Sequence, residues 1–148
     1  MTTPAAQTHP RFWMNRSAMA IAAAAAAAAL TAIGQFKGST VGDEWGAWLI
    51  ELAAIVIATG LVFWLVVPRS LDSSNKVIAR NALVLGVIGF LSLVVFWLGL
   101  PTVLAAGAAY LAANVDRAST GRQRGFTIAA LVLAGVTVVL AVAIAFVG

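Results

Sequence analysis

Apolar residues in this chain fall in long runs broken by short polar interruptions, with neither the alternation of half-buried strands nor the single apolar stripe of a surface helix. The runs are Ser17 to Phe36, Ala47 to Val67, Ala82 to Val115 and Phe126 to Val147. A membrane-crossing helix needs about 20 mostly apolar residues to traverse a hydrocarbon layer about 30 Å thick. The pattern therefore predicts an all-α fold, a polytopic transmembrane bundle behind a polar tail over 1–16. The first run contains the unbroken stretch Ala22 to Ala29, strongly helix-forming but weakly lipophilic. Its basic approach also fits a signal peptide, but a cut near Ala32 would put the large Leu30 where small residues are normal, so the helix is expected to be retained.

The 34 residues Ala82 to Val115 pose the main question of topology. As one straight helix they would extend about 51 Å, well beyond the hydrocarbon core. Gly99-Leu100-Pro101 offers a break, because glycine ends helices and proline opens them. Splitting there gives arms of about 78–98 and 100–114. The expected architecture is thus five spans (about 17–36, 47–67, 78–98, 100–114 and 126–147) forming a single domain over 17–148. The alternative has four spans, with a long third helix kinked at Gly99 and Pro101.

Charge favours five. Basic loops tend to stay on the cytoplasmic side during insertion. Five spans with the N-terminus inside and the C-terminus outside place eight of the nine basic residues there, leaving Lys37 as the exception. Four spans would move Arg117, Arg122 and Arg124 across. The second cytoplasmic loop is expected over Pro68 to Asn81. Trp45 and Trp48 at one end of the second span, and Phe63 and Trp64 at the other, suit headgroup belts; Phe96, Trp97 and Tyr110 suit the ends of the third and fourth spans.

Composition narrows the chemistry. The 148 residues are 62% hydrophobic and 9% charged, which excludes an ordinary water-soluble domain. Without cysteine there is no disulfide, thiolate metal site or Cys nucleophile, and the single His9 cannot build a metal site alone. No metal or other cofactor is expected. The net charge of +4 reads as topology, since no soluble basic domain exists to hold nucleic acid. Seven arginines against two lysines, with abundant alanine, glycine and valine, point to a high-GC bacterial genome and so to a bacterial cell membrane.

The run ALVLGVIGFLSLV, the Gly-Pro break, a small-residue helix and then GRQRGFTIAALVLAG resemble a family of bacterial multi-pass membrane domains of unknown function. The family pattern is an LVLG helix, a short return helix and an Arg-rich loop leading into a GRGxAIAGLVLG-like helix. The resemblance covers about Arg80 to Gly148; Phe126-Thr127 and Ala134 depart from it. It implies a multi-pass topology and no functional residue. Within the chain, Ala82 to Gly86 and Ala130 to Gly135 are alike, as low-complexity membrane sequence readily produces.

Three features invite a functional reading. Glu51, one turn inside the second span, is a candidate intramembrane acid on a proton or ion path, although pairing with Lys37 or an adjacent helix accounts for it more simply. Arg69, Lys76, Arg80, Arg117, Arg122 and Arg124 are candidate contacts for anionic lipids, and also what orientation alone demands. Small residues four apart, at Ala22/Ala26, Ala54/Ala58, Ala105/Ala109, Ala130/Ala134 and Ala141/Ala145, suit close helix packing or a partner. The serines have no histidine to activate them, and Gly121 to Gly125 lacks the P-loop spacing. The expectation is a non-enzymatic integral membrane protein, an accessory or scaffolding subunit of a membrane complex or a homo-oligomer. Its partners would be membrane lipids and other subunits or itself; a small transporter or ion-conducting subunit using Glu51 is the alternative.

Overall fold

A computed structural model describes residues 15–36, 44–95, 99–115 and 120–147, which are helical apart from turns. The elements are α1 (Arg16–Phe36), α2 (Glu44–Gly60), a π-helical segment (Leu61–Val66), α3 (Val67–Leu71), α4 (Asn75–Val95), α5 (Gly99–Ala113) and α6 (Arg122–Val147). Four rods are long and apolar enough to cross a membrane: α1, the continuous helix Trp45–Leu71, α4 and α6. The fifth, α5, is apolar but has only 15 residues. At 1.5 Å per residue that is about 22 Å, short of the ~30 Å hydrocarbon layer.

Side-chain contacts fix the directions of the rods. Gly89 of α4 lies against Pro101, Leu104 and Ala105, and Leu85 lies beside Gly107, so α5 runs antiparallel to α4. The kinked single helix of the four-span alternative would carry these residues apart. Ile55 meets Gly99, Val62 meets Gly107 and Phe63 meets Tyr110, so α2 and its π segment run parallel to α5. Gly86 sits on Ala130 and Leu133, while Leu93 packs beside Ala141 and Ala145, making α4 and α6 parallel. The two look-alike segments of the sequence thus touch each other. Thr31, near the end of α1, meets Gly99 at the start of α5, and α1 is antiparallel to α5.

Helix α5 packs against α1, α2, α4 and α6, and most of its residues are buried. A helix apolar all round is at home in a protein interior or in lipid, and here its neighbours enclose α5. Two of the longer helices bury only narrow stripes of small residues, Ala20, Ala23, Ala27 and Thr31 on α1 and Ala130, Ala134, Thr137, Ala141 and Ala145 on α6, whereas the rod Trp45–Leu71 buries Ile55, Val62, Phe63 and Val67. The large side chains of α1 and α6 point outward, among them Val132, Val139 and Ile144. This is the arrangement lipid favours, where helices associate by close backbone packing rather than by exclusion of water.

Several sequence expectations are corrected. The second span does not end at Val67; the helix continues through Pro68 to Leu71. Proline has no N–H, and its ring crowds the carbonyl four residues back, here that of Trp64. Just ahead of it the helix widens to the π register, and the Val67 N–H donates to the Val62 carbonyl five residues back. The expected loop Pro68 to Asn81 shrinks to a turn at 72–74, because α4 begins at Asn75. Likewise α6 begins at Arg122, so Arg122 and Arg124 belong to a helix and not to the preceding loop. Phe63 and Tyr110 form no belt: both are buried, edge to face at 6.2 Å, on the side of the helix that meets its neighbour. Ala22 and Ala26 face outward, since α1 buries the phase Ala20, Ala23, Ala27 instead. Ala54 is also exposed. Phe96 and Trp97 lie outside the described residues.

Candidate functional site

The alternating directions gather charge at one end. Arg16 opens α1, Arg69 lies in α3, Lys76 and Arg80 lie in the first two turns of α4, and Arg122 and Arg124 open α6. All six described basic residues therefore share the end at which α5 finishes. Asp72, in the turn between α3 and α4, is the one described acidic residue there. Local bonds brace this end. The Asn15 side chain accepts the Ser17 N–H at 3.2 Å, capping α1. The Asn81 amide donates to Ser70 Oγ at 2.9 Å, and that hydroxyl donates to the Val66 carbonyl at 2.8 Å, tying α3 to α4. Arg117 lies outside the described residues.

A small pocket of about 300 Å³ opens at this end, lined by Lys76, Thr120, Arg122, Gln123 and Phe126. Gly121, with φ +64°, makes the turn that leads into α6, a conformation open to glycine at little cost. The Arg122 guanidinium stands 5.5 Å from the Phe126 ring centroid. Among the described residues no acidic side chain is ion-paired with Lys76 or Arg122. Arg69, Arg80 and Arg124 are exposed at the same end but do not line the pocket.

Glu51 lies near the opposite end, about 27 Å of helix away from Arg69. Its Oε2 accepts a hydrogen bond from Gln35 Nε2 of α1 at 3.1 Å, so an adjacent helix supplies a partner. The pair borders a pocket of about 430 Å³ whose other walls are Ala47, Ile50, Ala54, Ile55 and Leu100. Beside it Phe36, Trp45 and Trp48 cluster with ring centroids 5.4 to 6.0 Å apart. Trp48 Nε1 is buried with no hydrogen-bond partner among the described residues. Lys37 lies outside them.

Gly99 and Pro101 occupy the first turn of α5. Proline there gives up no helical hydrogen bond, because the first N–H groups of a helix have no internal acceptor. A Cβ at Gly99 would stand 2.6 Å from Ile55 Cδ1, so glycine also lets α2 approach closely. Hydroxyls deeper in the bundle bond their own helices: Thr31 to Ala27 and Ala28, Thr59 to Ile55, and Ser92 to Ile88.

The structure thus separates Glu51 from the cations and divides the cations between one pocket and an exposed rim. Sequence reasoning missed Gln35, which is the amide in the last turn of α1 facing Glu51 across a helical hairpin. It also missed the pairing of Lys76 with Arg122, which depends on α4 and α6 being parallel neighbours. Comparison of the chain with models of known families, with curated proteins and with solved structures gave no match.

Proposed function

We propose that this chain is a non-enzymatic integral membrane protein of five crossings, an accessory or scaffolding subunit that assembles with other membrane proteins or with itself. In this reading α5 is the fourth crossing, and its shortness is tolerated because protein rather than lipid surrounds it. The basic end faces the cytoplasm of a bacterial cell, in keeping with the retention of positive loops. The resemblance of Arg80 to Gly148 to multi-pass domains agrees with this topology. The observation that carries the proposal is the division of side chains by size. The buried faces of α1 and α6 are made of small residues, and the broad apolar outer faces of α2 and α6 are left for lipid and neighbouring subunits.

Purification from the native membrane in mild detergent, followed by mass spectrometry, tests this reading. A stoichiometric membrane partner or a defined homo-oligomer supports it. A monomeric chain that alone turns over a substrate or moves a solute contradicts it.

The position of Glu51 on a 430 Å³ pocket favours one second reading, a small transporter or ion-conducting subunit. Against it, the described hydroxyls of Thr31, Thr59 and Ser92 are bonded to their own helices rather than aligned as a relay. If that reading holds, Glu51→Gln abolishes flux in reconstituted vesicles while the protein remains folded; unchanged flux rules it out.

A further inference from the structure

We infer that the pocket between the starts of α4 and α6 seats the phosphate of an anionic membrane lipid, held by Lys76 and Arg122. The inference rests on the membrane-crossing reading above and specifies which of the basic residues recognise lipid. Contacts between the two helices set the height of each cation. Gly86 sits on Ala130, and Lys76 and Arg122 precede these residues by about 15 and 12 Å of helix. The two cations therefore stand at nearly the same level, on separate parallel rods, at the rim of one pocket of about 300 Å³.

Like charges converge here, and Asp72, the one described acid at this end, does not line the pocket, so an anionic ligand would relieve their repulsion. The donors suit a phosphate. Lys76 brings an ammonium with three N–H groups, Arg122 a planar fork, Thr120 a hydroxyl and Gln123 an amide. The Arg122 guanidinium stands 5.5 Å from the Phe126 ring centroid, a cation–π contact that holds the side chain at the pocket. Phe126 adds an apolar wall on the side from which acyl chains would rise. A lipid fits better than a soluble phosphate because the pocket lies where two apolar rods emerge, at headgroup level. The remaining described cations of this end, Arg16, Arg69, Arg80 and Arg124, would enrich anionic lipid around it.

The test uses the full chain, with bound phospholipid counted by native mass spectrometry from mixed phosphatidylglycerol and phosphatidylcholine. Wild type is expected to retain phosphatidylglycerol selectively. Lys76→Gln with Arg122→Gln lowers that affinity about 150-fold, about twelvefold for each charge-assisted hydrogen bond lost to the phosphate. Arg16→Gln with Arg69→Gln removes the same charge outside the pocket and produces a much smaller loss. Equal losses in the two pairs overturn the inference in favour of diffuse attraction. Displacement of the lipid by inorganic phosphate at comparable concentration overturns the choice of lipid. Lys76, Arg122 and Arg69 are exposed and Arg16 is half-buried; Lys76→Arg, which keeps the charge, is expected to retain binding, and its failure to do so in a folded protein also counts against the site. Insertion into vesicles of phosphatidylcholine alone isolates the underlying reading. A chain that does not insert contradicts membrane crossing, whereas one that inserts without selectivity contradicts only the pocket.

Discussion

Helices α5 and α6 occupy opposite environments although neither Gly99 to Ala113 nor Thr127 to Val147 carries an acidic or basic side chain. The shorter is enclosed by protein over most of its surface, and the longer buries one stripe of Ala and Thr. Hydrophobicity therefore does not decide which helix is interior. Length and side-chain size do: α5 is too short to match the lipid layer by itself, and α6 has small residues on one face only. In water the large apolar side chains would turn inward; in lipid that drive is absent, and the faces that let backbones approach are the ones buried.

The difference should break most sharply at Gly107 of α5, where a Cβ would lie 2.5 Å from Val62 Cγ1 and Val62 is itself buried. Gly107→Leu is expected to cost about 3 kcal/mol, the upper part of the range for overpacking, read by unfolding in mixed micelles. Val62→Ala should recover part of that loss. Next comes the two-faced character of α6. Ala141 is fully buried and Val139 is 67% exposed, so Ala141→Leu should destabilise by about 2 kcal/mol while Val139→Leu leaves stability nearly unchanged. Equal effects at the two positions would remove the distinction between the faces.

Thr137 offers a smaller and opposite effect. Its hydroxyl is fully buried on α6 without a hydrogen-bond partner among the described residues. Thr137→Val keeps the shape and removes the unsatisfied group, so a gain of about 1 kcal/mol is expected in the same unfolding measurement. The smallest effect concerns the pair at the far end. A double-mutant cycle on Gln35→Leu and Glu51→Leu should give a coupling of about 0.6 kcal/mol, the average for interhelical hydrogen bonds in a membrane.

Much of the fold was legible because membrane helices announce themselves by length and composition. Arg16–Phe36 and the break before Pro101 follow directly from the apolar runs and from proline and glycine chemistry. The end of the second rod was not legible, because Pro68 ordinarily signals a stop and only the π turn before it allows the helix to continue. Nor could the sequence phase α1. In a run of eight alanines every face is equally small, and it is Ala23 and Ala27, in phase with the Thr31 that meets Gly99, rather than Ala22 and Ala26, that are buried. The candidate sites were legible as residue types alone. Glu51 and the basic residues stand out by charge, but Gln35 and the shared level of Lys76 and Arg122 depend on which helices are neighbours.

The central claim is that α4 and α5 are two crossings rather than one, with α5 sheathed inside the bundle. Ser74, in the turn before α4, and Thr120, before α6, are both exposed, and the chain has no cysteine of its own. Ser74→Cys and Thr120→Cys, made singly and probed with a membrane-impermeant thiol reagent in oriented vesicles, measure this directly. Five crossings predict that both cysteines react from the same side of the membrane. Reaction from opposite sides would contradict the account and make α4 and α5 a single crossing.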